Sequence, residues 1–561
     1  MFIRINAFFQ KIFIQLQKNF LKMKMNYFVI GWLLFLFIKT YSAPGDMIKA
    51  WKAPGENCTG LAWDGKNLWV VDQKSRTLFK LNQDGQVIKK FSAPSYWPVG
   101  LTFDGKTLWL VDERGGIPKI DDFYQGYIYQ IDTATGNIIK SQELPFVQPV
   151  GIAFDGTYFW TIDDKEKKLI SFSGEDGTAF KEYVYPAPGC LGIAYGNKYL
   201  WIGNHLRNEI YMVDPSNGKV LKILPTPGEY IRDLAYFNNA LWVLDSQTDS
   251  VYLLQIDDGT KWVRTNPRKV QLSFIEELYN IGPGNATNVS FNIAVPENDV
   301  HQEVASGVSF NPADYKILKD EWGQQVAQYT VQTIPPGKSA SFEMNLSATL
   351  YDVRYYIDPE LVKKAGNIPA DIKKIFLTDD EKFKIKDPVI QNAVKEAVGN
   401  ETNPYLKALK IYYYIIDKMT YERSGGWNPA PTVLSRGMGS CSEYSFVFIA
   451  MSRAAGIPAR FAGSVAKRSE ESAMDDIFHR WVEIYLPGYG WVPLDPSGGD
   501  NPWPADQARY FGFVSNRFLV TTHTGGKSKY LQFNYNGFIN YSHESPALIY
   551  EQMYGDWDVV K

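Results

Sequence analysis

The sequence predicts a multidomain, mostly β protein: a five-bladed β-propeller, an immunoglobulin-like β-sandwich, then an α+β domain. Three observations predict it. A motif built on an Asp-Gly turn and a tryptophan recurs five times between residues 60 and 245. Alternating apolar and polar residues, broken by prolines, fill residues 266–357. Helical spacing begins after residue 358. At 561 residues the chain exceeds what one core can serve, so three or more domains are expected.

The repeat justifies the propeller. It reads Gly60-Leu-Ala-Trp-Asp-Gly-Lys-Asn-Leu-Trp-Val-Val-Asp72 and returns from Gly100, Gly151, Gly192 and Asp233. The tryptophans fall at 69, 109, 160, 201 and 242, with gaps of 40, 51, 41 and 41. Each unit is a strand, a tight turn and a second strand, with two more strands before the next unit. Four strands per ~40 residues is the period of a propeller blade. Ile48–Pro54 echoes Ile88–Pro94, so the N-terminal strand is expected to close the ring as the outer strand of the fifth blade. The units resemble secreted propellers of the NHL and glutamine-cyclotransferase type, which implies a fold and no particular activity.

Asp72, Asp112, Asp163, Asn204 and Asp245 end equivalent strands. The first reading is that they bond their own turns; the alternative is a cation or peptide site on that face. The long gap places an insertion at Arg114–Gly126 beside them. Cys58 and Cys190 fall in non-adjacent blades and are expected to be unpaired, buried thiols.

The β-sandwich is expected over 266–357, where Val270–Ile275, Val289–Val295, Val326–Val331 and Ala340–Leu346 alternate. No chemistry is visible in it. The last domain, 358–561, opens with helices. Asp387-Pro and Asn403-Pro are N-terminal signals, and Gly399 is a stop. The run Tyr412–Tyr414 reads as packing.

The chemistry concentrates at Cys441. Small residues Gly437–Ser440 lead into it, and an apolar helical run follows to Gly456. A helix N-terminus favours thiolate over thiol. His479 lies in Asp476–Leu486, which alternates as a strand; Pro487–Gly490 turns, and Trp491–Asp495 returns. Such a hairpin sets His479 beside Asp495, with the helix bringing Cys441 to the imidazole. His205, His301, His523 and His543 read as surface or packing residues.

Gly-Ser-Cys-Ser-Glu443, the following Gly456-Ile-Pro-Ala-Arg460, and His479-Arg-Trp-Val-Glu-Ile-Tyr-Leu…Asp495-Pro together resemble the transglutaminase-like superfamily over roughly 385–525. The resemblance implies a papain-like core in which Cys441 is the nucleophile, His479 the base and Asp495 its orienting group. It does not identify an oxyanion donor; backbone amides near Cys441 and the Trp427 indole are candidates. It implies acyl transfer on protein or peptide amides through a thioester, with water or an amine as acceptor.

Composition narrows the setting. Net charge −3 gives no footprint for nucleic acid. No zinc-type Cys/His spacing occurs, and neither cofactor nor metal is expected. Residues 27–38 are an apolar run of twelve, short of the ~20 needed to span a membrane, after Lys22 and Lys24 and before Tyr41-Ser-Ala43. That is the layout of a signal peptide over 1–43, which implies secretion. Met23 or Met25 would be a more usual start, making 1–22 a mis-assigned extension; an uncleaved anchor is the alternative and would be the only membrane contact. The propeller would then bind a protein or glycan partner for a C-terminal enzyme. The competing readings are a propeller-based binding protein with an inactive or structural C-terminal domain, and a propeller that is itself the enzyme.

Overall fold

The computed structural model describes residues 43–113, 126–423 and 426–558. The expected signal peptide and nearly all of the 114–126 insertion lie outside them. Among the described residues no helix is long and apolar enough to cross a membrane.

Residues 47–255 form five four-stranded antiparallel sheets. Four are made of consecutive strands. The fifth takes Ile231–Phe237, Ala240–Asp245 and Ser250–Gln255, and Met47–Lys52 pairs as its outer strand. The innermost strands touch in cyclic order: Cys58–Trp63, Pro98–Phe103, Pro149–Phe154, Cys190–Gly196, Ile231–Phe237, and back to the first. The result is a closed, propeller-like ring.

The repeat's residues explain the ring. Asp64, Asp104 and Asp155 bind their turn amides and also accept the indole N–H of Trp69, Trp109 and Trp160 at 2.7–2.8 Å. The Asp-Gly turn is therefore a staple for the buried tryptophan five residues on. Glycine is required where the inner strands converge. A Cβ on Gly100 would sit 2.8 Å from the Gly151 Cα, and one on Gly192 would sit 2.4 Å from the Asp233 Cα. The fifth unit breaks the glycine pattern. The Asp233 carboxyl is wholly buried at the convergence and accepts the amides of Leu61 at 2.7 Å and Leu101 at 3.2 Å. Lysines of the outer strands tie neighbouring sheets: Lys49 reaches Gln83 O, Lys140 reaches Glu175 O and Lys181 reaches Pro215 O.

The middle of the chain builds two facing sheets over one apolar cluster that includes Phe274, Phe291, Phe342 and Trp557. Strand Trp262–Pro283 is the spine of one, paired on either side with Lys338–Tyr355 and Ala547–Asp558. The other runs Lys316–Lys319, Gln325–Ile334, Ala286–Ala294, Gly537–His543. So residues 537–558, assigned from sequence to the last domain, fold into the middle sheets. Their alternation fits a sandwich strand, but their partners in 271–294 lie more than 200 residues earlier.

Between these strands sits the α+β region. Asp387 caps Pro388–Val398 and Asn403 caps Pro404–Lys418. Cys441–Ala454 is buried along nearly its whole length against the sheet Gly490–Leu494, His479–Leu486, Ala459–Ala466, Phe518–Thr524. The tyrosine run packs, with its hydroxyls used as ties. Tyr412 donates to Gln507 O at 2.7 Å, and Tyr413 donates to Val220 O of the fourth ring sheet at 3.1 Å. Ion pairs Arg207–Asp506 and Arg509–Glu209 reinforce that contact between ring and α+β region.

Candidate active site

Cys441 is the first residue of its helix, after Ser440 at the N-cap. The approach is tight: a Cβ on Gly439 would lie 2.9 Å from the Glu443 Cβ. Glu443 is fully buried and organises the approach. It accepts the Ser440 amide at 3.2 Å, closing a capping box. It also pairs with Arg436 at 2.7 Å and takes the amide of Asn428 at 3.0 Å, which anchors the loop holding Trp427. From sequence Glu443 enters only as part of the family pattern and without a role, although the Ser-x-x-Glu spacing of 440–443 signals a capping box.

His479 begins its strand, and Asp495 follows the end of the returning one. His479 Nε2 lies 2.7 Å from Asp495 Oδ2. Asp495 Oδ1 is held by Ser497 Oγ at 2.7 Å and by the amides of Ser497 and Gly498 at 3.0 Å. With Nε2 so engaged, Nδ1 is left for the Cys441 thiol, which is within hydrogen-bonding reach of the ring. The structure thus brings together all three residues singled out from sequence.

The electrostatics favour a charged pair. Burial would lower the His479 pKa, but the charge and hydrogen bond of Asp495, together with the Cys441 sulfur, raise it to about 10. Burial would raise the Cys441 pKa, but the hydrogen bond and charge of His479, then the charge of Arg480, bring it below the ordinary thiol value. Burial opposes ionisation of Asp495 too, and His479 and Ser497 hold it ionised. A cleft of about 350 Å³ opens on the His479–Asp495 side, walled by Tyr421, Trp481, Tyr510, Phe513 and Phe518, with Arg468 at its edge.

The other two thiols lack this setting. Burial, before any other influence, pushes both Cys58 and Cys190 up to about 12. Both are free and buried, in the first and fourth sheets. The strand-end acids bond their own loops: Asp112 Oδ2 takes Ser95 Oγ and the amides of Tyr96 and Trp97, and Asp245 takes the amides of Tyr230 and Thr248.

Two histidines read as surface or packing residues belong to a second cluster. His523 lies 3.2 Å from Asp299 through Nε2 and 3.2 Å from Glu483 through Nδ1. Arg460 reaches Glu483 at 2.7 Å, and buried His301 stands 3.7 Å from Asp299. Burial would lower the His523 pKa, but Glu483 and Asp299 raise it to about 9. Donor atoms of Asp299, Glu483 and His523 fall within 4.8 Å of one another, a spacing open to a metal ion. The two carboxylates are nevertheless balanced by an imidazolium and a guanidinium, so the group is complete as an ion cluster.

Residues 391–496 match the family model of the transglutaminase-like superfamily, so this stretch is a transglutaminase-like domain. It spans Cys441, His479 and Asp495. An uncharacterised protein of Haemophilus influenzae is 27% identical over 190 residues, 30% of this chain and 49% of that protein. The chain therefore spans about half the length of that relative. Among solved structures, a candidate cysteine protease of Cytophaga hutchinsonii is 15% identical, with a TM-score of 0.37, over 53% of this chain and all of that one. A glutaminyl cyclase of Myxococcus xanthus is 11% identical, with a TM-score of 0.33, over 38% of this chain and all of that one.

Proposed function

We propose that the protein is an exported Cys-His-Asp enzyme that acts on amide bonds of proteins or peptides through a thioester. The observation that carries this reading is His479 engaged at once with Cys441 and Asp495 beside an open cleft. In it the Cys441 thiolate attacks the amide carbonyl carbon. Charge develops on the carbonyl oxygen, which the Cys441 amide at the helix start or the Trp427 indole would receive. The tetrahedral adduct collapses, the C–N bond breaks, and the imidazolium of His479 gives its proton to the leaving amine or ammonia. Neutral His479 then takes a proton from water or from an incoming amine, which displaces the sulfur. Asp495 fixes the ring so that Nδ1 faces the sulfur throughout. The aromatic walls of the cleft suit an extended peptide with bulky side chains.

In this reading residues 1–43 are the export signal and 44–265 a five-bladed propeller that binds a protein or glycan partner. An immunoglobulin-like sandwich, 266–357 with the returning strands 537–558, supports the catalytic domain. The deciding experiment incubates a glutamine-rich protein with the full chain, with and without a primary amine, and reads products by mass spectrometry. Cleavage, a gain of one mass unit at glutamine, and amine adducts identify peptidase, deamidase and cross-linking chemistry. All three outcomes must vanish in C441A. Identical products from C441A, or none from the native chain, overturn the proposal; the second result favours a binding role.

A further inference from the structure

Arg480 follows His479 on the same strand, so its side chain points to the opposite face, towards the Cys441–Ala454 helix. It is completely buried. Four rings surround the guanidinium: Phe461 at 4.1 Å, Tyr535 at 4.3 Å, and Trp427 and Phe446 at 5.4 Å. Phe446 belongs to the Cys441 helix, and Trp427 to the loop that Glu443 anchors. Nη2 donates to Phe533 O, whereas Nε and Nη1 have no partner among the described residues. No carboxylate is paired with Arg480 among them.

A buried cation without a counter-ion is strongly unfavourable, and contact with rings offsets only part of that cost. A methionine would fill an aromatic cage without the penalty. The charge therefore needs an anion elsewhere, and the candidate is the sulfur of Cys441, at the start of the helix whose Phe446 packs on the guanidinium.

We propose that Arg480 is a positioning residue for Cys441, a caged and permanent cation that holds the sulfur as a thiolate independently of His479. The inference rests on Cys441 as the nucleophile. The ionisable groups whose charge acts on the sulfur include His479, Arg480, Asp495, Tyr535 and Tyr421. Tyr535 is pushed up to about 12, by burial first and then by the sulfur, and Tyr421 moves the same way, so both stay neutral. Of these, His479 and Arg480 bring positive charge, beside the partial charge of the helix start. His479 surrenders its proton when the amine leaves; Arg480 does not. When the acceptor later displaces the sulfur from the thioester, Arg480 still favours the departing thiolate.

The test is the pH profile of Cys441 alkylation by iodoacetamide in the full chain, read by peptide mass so that Cys58 and Cys190 are scored apart. R480M is expected to raise the midpoint by one unit or more, a tenfold or greater loss of thiolate below it. R480K should stay near the native midpoint. Folded R480M with the native midpoint overturns the proposal. If R480M does not fold, R480Q decides: a midpoint raised by one unit or more supports the caged cation, and the native midpoint overturns the proposal. Amide turnover is measured in parallel. A shifted thiol midpoint in a chain without turnover would refute the proposed function while leaving this inference standing.

Discussion

The strand His479–Leu486 carries two imidazole–carboxylate clusters on one face, four residues apart. At its start His479 joins Asp495; further along Glu483 joins His523 and Asp299. Both imidazoles are partly buried, and both are held protonated by carboxylates. They differ in what completes them. The first faces a thiol and a cleft, so its proton has somewhere to go. The second is closed by Arg460 and His301, and ties the 299–301 segment beside the middle sheets to the α+β sheet. The same pair of side chains is a reagent in one place and a fastening in the other, and the neighbours decide which.

Mutation should separate the two most sharply. C441A is expected to abolish amide-directed turnover, and H479Q to lower it by about 10³-fold or more. Their readout is turnover, because each also takes a partner from a buried charge, Arg480 or Asp495. D299A should spare the thiol and cost stability. It leaves the partly buried His523 imidazolium with Glu483 alone and should cost about 1–3 kcal/mol of stability in urea unfolding, with the alkylation profile of Cys441 unchanged. A D299A chain of native stability would dissolve the distinction.

Proton counting sharpens it. His523 is raised from 6.5 to about 9. Its contribution is complete below pH 6.5 and is lost as pH rises through 9, because the folded chain keeps a proton that the unfolded chain has released. Stability should fall by about 1.4 kcal/mol per pH unit across that window. The first cluster behaves differently. Folded, it holds one proton, on His479; unfolded, it also holds one, on Cys441. The difference is near zero, so the pair adds almost no slope there. H523Q should therefore flatten the fall in unfolding free energy between pH 6.5 and 9, and C441A should not.

The reagent was legible in the sequence because its parts are local. A hairpin places His479 by Asp495, and the residues around Cys441 match a family pattern. The fastening was not, because Asp299, Arg460, Glu483 and His523 come from distant stretches, and no local spacing predicts their meeting. The propeller repeat was visible for the same reason as the hairpin. Its Asp-Gly turns were read only as turns, since the indole that Asp64 or Asp104 holds becomes a partner only once the strands pair. The exchange of glycine for Asp233 stood in the aligned repeats, but its place at the convergence of five sheets did not.

A third buried acid shows what a carboxyl does with neither base nor cation. Glu276 lies in the Trp262–Pro283 strand, fully buried, with no hydrogen bond to either oxygen. Burial raises its pKa well above 4.5, so it remains a neutral acid in the folded chain. Unfolded, it ionises above pH 4.5. Its presence therefore costs stability that grows as pH rises, the opposite acid–base logic to Asp299, whose pKa is depressed. E276Q keeps the shape and removes the proton. It should stabilise the chain by on the order of 1 kcal/mol at pH 7 and by less at pH 4.5, read as unfolding free energy at the two pH values. Equal effects at both would mean that Glu276 is ionised in the fold. A counter-charge would then have to reach it, and the middle sheets would hold a third paired cluster in place of a solitary acid.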